Sequence, residues 1–188
     1  MRNLSDQEII DSVRKGNESD YSIIINRYKN KAFSMLTRML KNEFDAEEVL
    51  QDCFLKAYNS LSSFKGEAKF STWFYRIVYN SALTKLSSQK RKIEAEMTSV
   101  EDHFNLVSEY NSVDIEKKDI NELVHKIINK LPEKYSAIIT MFYLNEMSIE
   151  EISEVMQITA SNVKVMLHRS RNLLRDLVLK SKLSEELI

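Results

Sequence analysis

Between Phe64 and Lys92 the chain sets Phe64, Phe70, Trp73, Phe74, Tyr75 and Tyr79 among Lys65, Lys69, Arg76, Lys85, Lys90, Arg91 and Lys92, with Glu67 as the single acid. Aromatic faces can stack on unpaired bases, and ammonium and guanidinium groups can hold phosphates. The whole chain carries a formal net charge of −1, so this cationic island is local. A second basic stretch lies near the carboxy terminus. From Lys164 to Lys182 it holds Lys164, Arg169, Arg171, Arg175, Lys180 and Lys182 against Asp176.

Other chemistries find no residues to carry them. The chain has one cysteine, Cys53, so neither an internal disulfide nor a cysteine metal cage can form. His103, His125 and His168 are far apart, without metal-ligand spacing. There is no glycine-rich phosphate loop, nucleophile triad or paired-carboxylate signal. No catalytic, cofactor-binding or metal-binding residues are expected, and an enzyme is not expected. No segment reaches the apolar length of a membrane span, and no signal peptide is expected at the amino terminus. The expected location is the cytoplasm.

The elements that position these residues follow from composition and period. Gly16, Gly66 and Pro132 are the only glycines and proline in 188 residues. That scarcity, with abundant Leu, Ile, Lys and Glu, predicts an all-α protein. Ser5-Asp6-Gln7-Glu8 is a capping box that opens a short helix ending near Gly16. A long helix spans about Asp20 to Leu40. Another begins near Asp45, with Val49, Leu50, Cys53, Phe54, Ala57 and Tyr58 at helical spacing. Ser71 or Thr72 can cap a helix running to about Ser87.

From Ile93 onward acids outnumber bases and apolar residues are sparse, which reads as a flexible acidic linker. A helix from about Lys118 to Lys130 follows, and Pro132 suits the first turn of the next, to about Leu144. Ser148-Ile149-Glu150-Glu151 is another capping box, opening a helix to Met156. After a turn, Thr159 or Ser161 can cap a helix to about Lys180. The expected architecture is two small helical domains, 1–92 and 118–188, joined by a flexible acidic linker over 93–117, the second a helix-turn-helix domain.

Winding the last helix puts Val163, Leu167, Ser170, Leu174 and Leu177 inward. Ser161, Lys164, Val165, His168, Asn172 and Arg175 then face outward, flanked by Arg169 and Arg171. This suits a recognition helix in a major groove; a structural hairpin with a solvated basic face would give the same pattern. The helix after Ser71 is apolar nearly all round, so Phe74 and Val78 belong to a core. Asn80 is the polar exception, placed either to read a base edge or to satisfy backbone inside. The Asp45–Tyr58 helix is either an amphipathic core helix or a docking helix.

Three blocks together resemble the extracytoplasmic-function group of the sigma-70 superfamily of bacterial RNA polymerase sigma factors. Asp45-Ala-Glu-Glu-Val-Leu-Gln-Asp-Cys-Phe-Leu-Lys-Ala-Tyr58 resembles the polymerase-binding helix. Phe64-Lys-Gly-Glu-Ala-Lys-Phe-Ser-Thr-Trp-Phe-Tyr-Arg-Ile-Val-Tyr-Asn80 resembles the promoter-melting loop and helix. Leu131-Pro-Glu-Lys-Tyr135 through Arg171 resembles the carboxy-terminal domain.

The resemblance implies a factor that binds core RNA polymerase and directs promoter-specific initiation. Asp45, Glu48, Val49, Gln51, Asp52, Phe54 and Leu55 would meet the clamp helices of the largest subunit, and the carboxy-terminal domain the flap. Phe64, Lys65, Lys69, Trp73, Arg76, Ile77, Asn80, Lys85, Lys90, Arg91 and Lys92 would bind the melted −10 strand. A flipped base would lie near Phe64, Ile77 and Asn80. Ser161, Asn162, Lys164, Val165, His168, Arg169 and Arg171 would read the −35 duplex. The linker would thread the polymerase channel toward RNA exit. Promoter DNA and an anti-sigma protein complete the implied partners, with no membrane insertion and no cofactor.

Two departures stand out. Gln157 occupies a turn position where the family commonly has glycine, and Val165-Met166 replaces residues that are often basic. The alternative reading is a stand-alone helix-turn-helix regulator, which predicts a dimer on a palindromic site. A helical interaction module with solvated basic faces is a further competitor.

Overall fold

The Ser5 hydroxyl accepts the Glu8 amide at 3.3 Å and the Glu8 carboxylate accepts the Ser5 amide at 2.7 Å. This reciprocal cap starts α1, Asp6–Arg14, as the sequence pattern predicts. The computed structural model describes residues 4–98 and 127–185. A short 3₁₀ turn, Glu18–Asp20, leads into α2, Tyr21–Leu40. The next helix, α3, spans Glu43–Ser60. It begins two residues earlier than expected because Asn42, with its side chain accepting the Asp45 amide at 3.1 Å, is the cap.

A 3₁₀ turn, Leu61–Ser63, and the glycine-bearing loop bring the chain to α4, Phe70–Thr98. Ser71 and Thr72 are not its cap. The Trp73 amide bonds to the Lys69 carbonyl at 3.1 Å, so the helix starts at Phe70 and carries that ring into the core. The helix also continues past Ser87, through the Ile93 where the linker was expected to start, to Thr98. Lys, Gln, Glu and Met in that stretch are good helix formers, and nothing there breaks the period. Residues 99–117 of the expected linker, and the 118–126 part of the following helix, lie outside the described residues.

After a helical fragment at residues 127–129, Pro132 takes the cap position rather than the first turn of α5, Glu133–Ile139. The last turn widens into a π-helical segment, Thr140–Leu144, where the Asn145 amide reaches the Thr140 carbonyl at 2.9 Å. Then α6, Ile149–Met156, opens on a second capping box, and α7 spans Ala160–Glu185.

Two bundles result. Helices α1 to α4 pack around Ile9, Ile24, Met35, Leu36, Met39 and Phe74, all fully buried. Helices α5 to α7 pack around Ile138, Met141, Ile152, Val155 and Val163. The bundles also touch. α2 meets α5, and α4 meets α6, so the buried apolar residues form one connected cluster. Among the described residues there is no strand, and no helix long and apolar enough to cross a membrane.

Candidate nucleic-acid interface

Phe64, Phe70, Trp73 and Phe74 do not act separately; they form one aromatic cluster. Phe64 and Phe70 meet edge-to-face at 5.8 Å, and Trp73 lies 5.1 Å from Phe64 and 5.5 Å from Phe70. Tyr28 of α2 closes on Phe70 and Phe74 at 5.6 Å, and Phe54 of α3 stacks on Phe74 at 4.8 Å. Such pairs add about 0.5–1.5 kcal/mol each beyond their area. Phe64 is therefore 6 % exposed, a core ring and not the free stacking platform expected from sequence. Trp73 and Ile77 are half-buried, Phe74 and Val78 are core as expected, and Asn80 is exposed, not a core amide.

The loop carrying Phe64 is pinned from α1. Arg14 donates to the Leu61 carbonyl at 3.1 and 2.5 Å and also to the Phe64 carbonyl. Gly66 supplies the turn with φ of +74°, where a side chain would be strained. Beside the loop a cavity of about 410 Å³ opens, lined by Phe64 and by Gly66 through Ser71, with Asp6 and Gln7 of α1. Ile77 and Asn80 do not line it, so the structure does not gather Phe64, Ile77 and Asn80 around one hollow.

Lys69, the residue before α4, and Trp73, Arg76 and Asn80 on the helix recur at helical spacing and form one stripe, with Ile77 at its edge. Lys65, Lys69, Lys90, Arg91 and Lys92 are exposed. Lys85 is half-buried and held within the bundle. Its ammonium contacts Asp45 at 2.9 Å and Glu48 at 2.7 Å. Hydrogen bonds to Glu48 and then Asp45 raise its pKa above the ordinary lysine value. The expected phosphate contact is instead a tie between α3 and α4.

Helix α3 divides into two faces. Val49 and Phe54 are 5 % and 7 % exposed, so these two expected partner contacts are core, together with Ala46, Cys53 and Ala57. Burial pushes the Cys53 thiol up to about 11. Glu48, Gln51, Asp52 and Leu55 stand outward, and Asp45 is half-buried against Lys85. Phe44, missed in the sequence reading, is 86 % exposed, and Leu55 further along the helix is 61 % exposed. Its signal was an apolar residue off the inward stripe, hidden because the helix was started one residue too late to include it.

In the second bundle, Ser148 and Glu151 form the reciprocal cap, at 3.1 and 2.8 Å. The Ser153 hydroxyl donates to the Ile158 carbonyl at 2.6 Å while its carbonyl accepts the Ile158 amide, bracing the turn. Gln157 ends α6 with φ of 55° and ψ of 44°. Thr159 accepts the Asn162 amide at 3.2 Å and starts α7. Val163, Leu167 and Ser170 are buried, so Ser161, Asn162, Lys164, Val165, His168 and Arg169 all stand exposed on the opposite face. Arg171 is exposed too, but its Nε donates to the Tyr143 hydroxyl at 2.7 Å and its guanidinium lies 5.9 Å from the Phe142 ring centre. It is held toward the aromatic pair at the π turn, away from the group near the start of α7.

An all-helical chain with a helix-turn-helix bundle and a separate bundle presenting an aromatic-cationic stripe defines a two-domain DNA-binding transcription protein. The sequence matches two family models, Sigma-70 region 2 over residues 24–92 and Sigma-70, region 4 over residues 121–174. It is 31 % identical over 180 residues to the ECF RNA polymerase sigma-E factor of Haemophilus influenzae, covering 92 % of this chain and 95 % of that one. It is 32 % identical over 174 residues to the ECF RNA polymerase sigma factor SigW of Bacillus subtilis, covering 88 % and 92 %. In fold it is similar to CnrH, solved in complex with the cytosolic domain of CnrY, with a TM-score of 0.64 and 21 % identity over 92 % of this chain and 96 % of that one. The sigma factor RpoE from Bartonella quintana, solved with the anti-sigma factor NepR, gives 0.64 at 19 % identity, covering 85 % and 96 %. The chain belongs to the extracytoplasmic-function sigma factors, and its role is to direct promoter-specific transcription.

Proposed function

We propose that this chain delivers core RNA polymerase to a promoter by dividing the work among three surfaces. The α3 ridge of Phe44, Glu48, Gln51, Asp52 and Leu55 docks on the polymerase clamp. The α4 stripe of Lys69, Trp73, Arg76 and Asn80, with Lys65 and the Lys90–Lys92 run, takes the melted −10 strand. The first two turns of α7 enter the −35 major groove, with Lys164, His168 and Arg169 as polar contacts and Val165 against a thymine methyl.

The observation that carries this reading is that one chain presents both an aromatic-cationic stripe beside α4 and a helix-turn-helix whose second helix exposes Ser161, Asn162, Lys164, Val165, His168 and Arg169. A stand-alone repressor has use for the second alone. The role is non-catalytic, since bond making belongs to the polymerase, and it is exercised in the cytoplasm where polymerase works. An anti-sigma protein is part of the proposal, by analogy with the complexes in which the fold neighbours were solved.

The strand's cost and gain are of similar size. Unstacking a base costs a few kcal/mol, and stacking returns about 1–3 kcal/mol per base. The test is run-off transcription with core polymerase on genomic fragments, followed by separate assays of polymerase binding and duplex opening. Asn80→Ala and Trp73→Ala are expected to lower opening at least tenfold, about 1.4 kcal/mol, with polymerase affinity little changed. Equal loss in both assays, or in neither, would assign the stripe a structural role.

A further inference from the structure

Arg14, the last residue of α1, reaches across to the turn that follows α3. Its Nε and Nη2 donate to the Leu61 carbonyl at 3.1 and 2.5 Å, and Nη2 also donates to the Phe64 carbonyl. These carbonyls flank the end of the 3₁₀ turn Leu61–Ser63, which Phe64 leaves in extended backbone, with φ of −70° and ψ of 111°. Carbonyls at a helix end have no partner within the helix and carry partial negative charge. A guanidinium presents its donors in a fixed planar fork, so one side chain can hold two such oxygens at once. Lysine, a point charge on a flexible stem, cannot fix both.

The tie sets one ring. The Phe64 amide donates to the Leu61 carbonyl at 3.2 Å, and the Phe64 carbonyl accepts from Arg14, so the residue is held at both ends of its backbone. Its buried ring then meets Phe70 edge-to-face and lies 5.1 Å from Trp73. Trp73 is half-buried, and its remaining surface belongs to the stripe on α4. Contact thus runs from α1 through Arg14 and Phe64 to the indole.

Arg14 is not needed to hold α1 in place. Ile9, Ile10 and Val13 are buried in the first bundle and anchor the helix. The other end of α1 also lies beside the loop. Gln7 Oε1 is 3.6 Å from where a Cβ on Gly66 would stand, and Asp6 and Gln7 help to line the loop cavity. Residues 6–14 fall outside the 24–92 span that matches Sigma-70 region 2, so that match assigns them no part. We propose that Arg14 is a positioning residue for strand capture: it fixes Phe64, and through Phe64 the face that Trp73 offers to an unpaired base. This rests on the reading of the α4 stripe as the −10 surface.

Trp73 is the only tryptophan in the chain, so its emission reads the loop directly in the full protein. Arg14→Gln removes both the charge and the fork; Arg14→Lys keeps the charge alone. In the free chain, Arg14→Gln should shift Trp73 emission to the red and make it more readily quenched by acrylamide. Unchanged emission and quenching would overturn the proposal. Each form is then assembled with core polymerase on a promoter mapped by run-off transcription, and polymerase affinity and duplex opening are measured separately. Arg14→Gln should lower opening about five- to tenfold, the scale of one or two lost hydrogen bonds, with polymerase affinity unchanged and Arg14→Lys intermediate. Parallel loss of opening and polymerase affinity would make Arg14 a structural residue and overturn the proposal. If Arg14→Gln does not fold, Arg14→Lys carries the same comparison, with a loss of about two- to fivefold. Normal opening in the Arg14 variants, with Trp73→Ala still impaired, overturns the role of Arg14 and leaves the stripe reading intact. Normal opening in Trp73→Ala as well sinks the stripe reading, and the role of Arg14 with it.

Discussion

Gln157 is the residue at which this chain departs most visibly from its family's pattern. Its φ of 55° is left-handed backbone, which costs a side-chain-bearing residue roughly 1–2 kcal/mol relative to glycine. Gln157→Gly is expected to stabilise the helix-turn-helix bundle by up to about 1 kcal/mol, the gain reduced by the extra freedom glycine gives the unfolded chain; denaturant unfolding checks this. The carboxylates of Glu8 and Glu151 titrate below their ordinary value of 4.5. For Glu8 the Ser5 amide is the main cause, and for Glu151 the Lys69 and Ser148 bonds prevail over burial. A lowered folded pKa means stability that is present above 4.5 and lost as pH falls through the lowered values. Thermal melts should be flat from pH 7 to about 5 and decline below about 4.5. In Glu151→Gln the decline should be shallower.

At the scale of the element, α3 shows how one helix serves two masters. Its inner face holds Val49, Cys53, Phe54 and Ala57 in the core, while Phe44 and Leu55 are left uncovered about 16 Å apart along the axis. The two faces should separate cleanly under mutation. Phe54→Ala is expected to cost about 3–5 kcal/mol of stability, seen as a lowered melting temperature. Phe44→Ser should leave the melting temperature within about a degree and weaken polymerase binding. If Phe44→Ser binds polymerase as wild type does, the docking ridge lies elsewhere. The helix α4 carries a similar division, with Phe74 and Val78 inside and Asn80 outside on the same few turns.

For the whole molecule, what the free chain can bind is set by the charge that each bundle exposes. The cations at the start of α7 are few, and each phosphate contact adds only a modest, salt-dependent increment. The purified chain is therefore expected to bind promoter duplex far more weakly than nanomolar in physiological salt, and to do so tightly only with core polymerase. Nanomolar binding by the free chain in a shift assay would contradict the proposed division of labour.

Much of this was legible before any coordinates. Capping boxes at Ser5 and Ser148 fixed the starts of α1 and α6, and the near absence of glycine and proline with 3.6-residue periods fixed the helical class, because these are local preferences acting over a few residues. The inward stripe of α7 placed Lys164, Val165, His168 and Arg169 outward by winding alone. What periodicity could not supply was which neighbour each side chain meets. Phe64 became core because Phe70 and Trp73 close around it. Lys85 became an inter-helix tie because Asp45 and Glu48 lie across from it. Phe44 was left bare because it lies off the face of α3 that packs on α2 and α4. The sequence by itself determined most of the helices, the family and the chemistry of the two basic stretches. Only the tertiary structure decided that Lys69 and Arg76 face Glu151 and Glu154, residues more than seventy positions away, since a contact at that separation depends on how whole helices pack and leaves no local trace in the chain.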